Sequence, residues 1–181
     1  MKIEDGTGQG YEQKVASNNR ALVDSVSNTV EHHTNVDLGQ GWVLVYEQTP
    51  SGANDFFFYF KNTDVVPYIF ESMSYRVASA EQVKIYLDRT GTISGGTTLT
   101  PVNLNTGSAK EPTATIESGN NITGTTGGSV CQHIYMTSTE SKFYNFESGI
   151  AVAPGGTFMM EAIAGSVQIT INLHMYKLQQ L

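Results

Sequence analysis

The chain of 181 residues is 39% apolar and only 15% charged, long enough to bury one core but too poor in charge for a helical bundle. Ten Lys and Arg stand against 17 Asp and Glu, a net charge of -7. A surface of that sign repels phosphate backbones and excludes DNA and RNA from the expected partners. The single cysteine, Cys131, excludes an intrachain disulfide, and no stretch approaches the roughly 20 apolar residues of a membrane span.

Residues 1–40 read as an extended arm. Gly6, Gly8 and Gly10 break its start, polar residues fill it, and a short amphipathic pattern through Val15, Leu22, Val23 and Val26 is interrupted by Ser17, Asn18 and Asn19. From Gly41 the pattern becomes that of strands separated by turns, and residues 41–181 are assigned to one β domain. Residues 42–46, an apolar β-branched run, form the first strand, closed by Pro50, Ser51 and Gly52. Residues 56–60 are five aromatics in a row. A run apolar on both faces implies cover on both faces, one by an opposing sheet and the other by the arm or a neighbouring subunit. Phe56, Phe57 and Phe58 are therefore the candidate oligomer contact.

Strands follow at 68–77, 82–88 and 97–104. The second alternates Val83, Ile85 and Leu87 against Lys84, Tyr86 and Asp88. Residues 105–129, rich in Thr, Ser, Gly and Asn, read as a long polar loop, the kind of segment that carries contacts. Strands resume at 130–136, 142–146, 157–162 and 167–176. About nine strands without a three-turn helix point to an all-β fold, a two-sheet β-sandwich of jelly-roll-like form behind an extended N-terminal arm.

The catalytic inventory is nearly empty. Gly6, Gly8 and Gly10 lack the preceding strand and following helix that a phosphate loop requires. His32 and His33 diverge on either a strand or a helix, and His133 and His174 are distant in sequence, so no metal site is expected. Cys131 and His133 share a strand face with roots about 6–7 Å apart, and a buried, inert cysteine is expected. The acidic pairs Glu4–Asp5 and Glu140–Glu147 belong to no pocket-building motif. No catalytic residue and no cofactor is assigned, and the expectation is a protein that is not an enzyme. Tyrosines and Trp42 are candidates to stack on sugars or fill an interface, as well as for the core.

Residues 3–27 begin Ile3, Glu4, Asp5, Gly6, Thr7, Gly8 and continue through Lys14–Val15 and Asn19–Arg20 into the apolar pattern at Leu22. This opening resembles that of a group of tailed-bacteriophage virion structural proteins, in which an I-E-D-G-T-G start leads to a β-rich body. The resemblance implies a component of a phage particle, made in the host cytoplasm, with a head decoration or cement role foremost. A neck or tail component, or a carbohydrate- or receptor-binding β module, is the alternative. It further implies partner contacts by the arm, through Ile3, Glu4, Asp5, Gly6, Thr7, Gly8, Gly10, Lys14, Val15, Asn19, Arg20 and Leu22. The implied partners are major capsid or other virion proteins, with self-association as a trimer or dimer.

Overall fold

The computed structural model describes residues 33–137 and 141–178. After one π-helical turn, His33–Asp37, the chain forms twelve strands: β1 (Gly41–Gln48), β2 (Asp55–Asn62), β3 (Tyr68–Val77), β4 (Glu81–Leu87), β5 (Thr90–Ser94), β6 (Thr97–Thr98), β7 (Val102–Asn103), β8 (Ala114–Thr126), β9 (Ser129–Met136), β10 (Lys142–Val152), β11 (Thr157–Ala162) and β12 (Ile169–Lys177). They make two sheets, ordered β10-β3-β12-β1-β7 and β5-β8-β2-β11-β4-β9, with β6 attached to β8.

The first four strands pair in reverse order with the last four: β1 with β12, β2 with β11, β3 with β10 and β4 with β9, all antiparallel. Consecutive strands of β1 to β4 alternate between the sheets, as do those of β9 to β12. The body is thus a long hairpin rolled into two face-to-face sheets, which is the jelly-roll arrangement. The expected all-β sandwich is the observed fold.

The core lies between the sheets. Alternation places Leu44 and Tyr46 of β1 inward with Ile169, Ile171 and Leu173 of β12. Val83 and Ile85 do the same from β4. Aromatic rings fill the centre. Phe60 meets Phe70 edge-on at 5.0 Å, and Phe70 stacks on Phe158 at 4.4 Å. Such offset and edge-on pairs add to what area burial alone supplies.

The five-aromatic run needs cover on both faces, and the chain provides it. Phe57 has no partner in the register with β8 or β11, so it sits on a β-bulge. The bulge turns both Phe57 and Phe58 into the core with Phe60. Tyr59 and Phe56 face outward, where they form a second apolar cluster with Ile122, Met159, Tyr86 and Ile93. Ile93 belongs to β5, so the outer cover is supplied by the chain itself. The assignment of Phe57 and Phe58 to an oligomer contact is therefore corrected, while Phe56 is half-buried. Phe57 and Phe58 are fully buried in their own chain.

Two further expectations change. Residues 97–104 are not one strand, because Pro101 lies in the gap between β6 and β7 and breaks the segment into short pieces. Residues 105–129 are not one long loop, since β8 occupies thirteen of them. Ile116 and Ile122 anchor β8 against β2, opposite Phe60 and Phe56.

Residues 33–40, placed in the arm by composition, are tied to the body. The carbonyl of Gln40 accepts from Lys177 N (3.0 Å), that of Gly39 from Asn103 Nδ2 (3.0 Å) and that of Leu38 from Lys110 Nζ (2.7 Å).

Candidate functional site

A jelly roll has four sheet edges, and an unpaired edge is a template for another strand. Here the segment between β4 and β9, residues 88–128, folds back along two of them, covering the edge of β2 and the start of that of β1. β7 pairs with the outer edge of β1, and β8 with the outer edge of β2. The root of this insert is held by Arg89. Its guanidinium donates to Thr125 Oγ1 (3.0 Å), Thr125 O (2.9 Å) and Gly127 O (2.8 Å) and lies over the rings of Phe56 and Tyr86, 4.4 and 5.1 Å from their centroids.

The other two edges, the outer sides of β9 and β10, pair with no strand among the described residues. A groove of about 870 Å³ runs between them. Both strands carry a bulge there. On β9 the register jumps from Gln132–Ile85 to Val130–Tyr86, leaving Cys131 unpaired. On β10 it jumps from Asn145–Ser72 to Ile150–Phe70, so residues 146–149 face a single residue of β3. This wide bulge drives Phe146 into the core and exposes Glu147 at the groove. Gly149 makes it possible: its φ is +73°, and a Cβ there would lie 2.6 Å from Ile69 Cγ2.

The groove walls are mixed. Phe143 is 67% exposed, beside the amides of Gln132 and Asn145. Gln132 Nε2 donates to Tyr144 Oη at 2.6 Å and so links the two sheets across the gap. Cys131 is at the surface, not buried as its sequence context suggests, because the bulge takes it out of the strand's alternation. The partial enclosure of its sulfur pushes the thiol pKa up, which disfavours the nucleophilic thiolate. His133 Nδ1 accepts instead from Gln82 Nε2 at 2.8 Å, so no cysteine–histidine pair forms.

The remaining sequence candidates do not converge. Ile3, Glu4, Asp5, Gly6, Thr7, Gly8, Gly10, Lys14, Val15, Asn19, Arg20 and Leu22 lie outside the described residues, as do His32 and Glu140. His33 is in the π-helical turn, His133 on β9 and His174 in the middle of β12. Among the described residues no cluster of His, Cys, Asp and Glu could hold a metal ion. Of the aromatics considered for stacking, Trp42, Tyr68 and Tyr75 are buried, whereas Tyr135 is 69% exposed. Trp42 is spoken for by its ring contact with Tyr68 and by Nε1 donating to Lys110 O at 3.1 Å.

Sequence reasoning passed over two buried acids. Glu81 accepts from the backbone N–H groups of Gln82, Ala164 and Gly165 at 2.8–2.9 Å and so fixes the turn between β11 and β12. Glu161 accepts from Tyr86 Oη at 3.0 Å and pairs with Lys84 at 3.6 Å on the outer face of β11 and β4. Both are satisfied by structural partners. What the body offers chemically is a groove flanked by two free strand edges, suited to binding a chain segment.

Comparison with known protein families, with curated proteins and with solved structures finds no match.

Proposed function

We propose that this chain is a non-enzymatic structural protein of a bacteriophage virion, a head decoration or cement protein that binds and stabilises the capsid lattice. The observation that carries this reading is the I-E-D-G-T-G arm, residues 3–27, standing ahead of a jelly-roll body. Its resemblance to virion structural proteins supplies the class of particle. The architecture supports the division of labour. The insert covers the body's edge at β2 and the start of that at β1, and extended contacts fall to the arm.

Strength would come from repetition. An arm contact of modest affinity, multiplied over a lattice, gains avidity by effective concentration without any larger single interface. Main-chain pairing by an extended segment supplies the contact, and its apolar side chains supply the register.

Particles stripped of the protein and mixed with purified chain test the reading. Full-length protein is expected to rebind, and a chain lacking residues 1–32 to lose binding while its β-sheet circular dichroism is kept. Full-strength rebinding by the truncated chain would remove the arm from the account. Truncation stops at 32 because residues 38–40 hydrogen-bond to the body.

A further inference from the structure

We propose that the outer face of the sheet formed by β10, β3, β12 and β1 binds a neutral oligosaccharide, laid across the strands from Phe143 at the groove to Glu47 on β1. The site is separate from the arm, and it stands whether or not the chain decorates a capsid.

The register sets side chains in rows across this face. Phe143 of β10 stands opposite Ser74 of β3, Ser74 opposite Asn172 of β12, and Asn172 opposite Val45 of β1. In the next row Arg76 faces Thr170, and Thr170 faces Glu47. At its centre β3 contributes only serines to this face, Ser72 and Ser74, so the surface is low there between longer side chains on either side. Cavities follow the furrow. The 870 Å³ groove includes Phe143, and a cavity of about 280 Å³ includes Ser74, Asn172 and Thr170. A third, of about 310 Å³, shares Glu47, Arg76 and Thr170 with the second. Four strands at the usual spacing make the furrow about 14 Å long, which suits a short oligosaccharide better than a single ring. The outer face of the other sheet differs, since an apolar cluster that includes Ile93 of the insert covers part of it.

The polar groups are held in place before any ligand arrives. Asn172 Nδ2 donates to Ser74 Oγ at 2.9 Å, and Glu47 accepts from Gln168 Nε2 at 2.7 Å and from Thr170 Oγ1 at 3.1 Å. These bonds leave the Ser74 hydroxyl hydrogen to donate, and Asn172 Oδ1 and further carboxylate lone pairs to accept. A hydroxyl-rich ligand thus meets both kinds of partner at fixed positions, and little rotamer freedom is lost when it binds. Phe143, 67% exposed at the end of the row, offers an apolar ring face to the C–H face of a pyranose.

Charge selects among sugars. The charged residues lining the three cavities are Glu47, Glu147 and Arg76, two carboxylates against one guanidinium, on a chain of net charge -7. Sialylated or uronic-acid chains are repelled by such a surface. A protein partner would lack an apolar centre to pack on, because the exposed Phe143 and Val45 stand at opposite ends of a polar row.

The test titrates full-length protein with maltohexaose, cellohexaose, mannohexaose and chitohexaose, and with hexagalacturonate as the anionic counterpart, by calorimetry and by amide NMR shifts. At least one neutral probe is expected to bind, with shifts centred on β3, β12 and the start of β10. Phe143→Ala is expected to weaken that binding about tenfold, and Ser74→Arg, which fills the floor of the furrow, to abolish it. Both variants should keep the circular dichroism of the parent. Tyr135→Ala, on the other sheet, should bind as the parent does. No binding by any neutral probe, tighter binding of hexagalacturonate, or an affinity unchanged in both Phe143→Ala and Ser74→Arg would overturn the proposal.

Discussion

Gln132 and Tyr144 hold the open side of the sandwich together: the amide of one sheet donates to the phenol oxygen of the other at 2.6 Å. No strand spans that side among the described residues, so this side-chain bond stands where a backbone ladder would otherwise be. Tyr144→Phe removes the acceptor and keeps the ring, which packs against Phe146 at 5.4 Å. The expected cost is about 1 kcal/mol in denaturant unfolding. Faster amide exchange should be confined to β9 and β10, and a uniform change across the body would contradict this view of the bond.

Arg89 should matter more than a surface arginine. It ties the two ends of the insert together by three hydrogen bonds and lies against two aromatic rings. Arg89→Ala is expected to cost about 2 kcal/mol. Hydrogen exchange should show β5 and the end of β8 opening first, while β3 and β12 stay protected.

Phe58 decides between a core and an interface reading of the aromatic run. It is fully buried and contacts Tyr46 at 5.1 Å and Phe158 at 6.0 Å. Phe58→Ala is expected to destabilise the fold by about 3–5 kcal/mol. The sedimentation behaviour of whatever remains folded should be unchanged. Loss of association with stability intact would restore Phe58 to an interface.

Alkali should unfold the protein through its tyrosines. Burial pushes the phenols of Tyr46, Tyr59, Tyr75 and Tyr86 up, and that of Tyr68 up to about 12. A pKa raised in the folded state means stability that is complete below the unfolded value near 10 and is lost as pH rises toward the folded one. The melting temperature should therefore fall between about pH 10 and 12, with phenolate absorbance appearing together with loss of circular dichroism. Tyrosine ionisation well before unfolding would contradict it. On the acid side the sign reverses. Desolvation opposes ionisation of Asp64, but its bond to Lys177 at 2.7 Å holds the carboxyl below the usual range. That contribution is present above about pH 4 and is lost as pH falls further.

Much of the architecture was legible because alternation survives wherever one face is buried. The strands at Tyr68–Val77 and Thr157–Ala162 have the bounds that their apolar runs suggest. β8 escaped notice because its Thr, Ser and Asn residues read as loop. Yet Thr is a good strand former, and Ile116 and Ile122 are the two buried apolar residues that mark its inner and outer cover. The paired aromatics were read correctly as doubly covered, but the bulge at Phe57 and the cover by Ile93 depend on pairing partners that no local pattern reveals. The groove was invisible for the same reason. It arises from two bulges on strands distant in the fold's pairing scheme, and Gly149, whose left-handed backbone permits one of them, looks in sequence like any other glycine.

The central claim is that this chain works as part of a phage particle, and location tests it most directly. Purified particles should contain the protein in many copies by quantitative mass spectrometry, and antibody raised against the β domain should label the head surface. Particles that assemble and purify without it, with the protein left in the soluble lysate, would contradict the account.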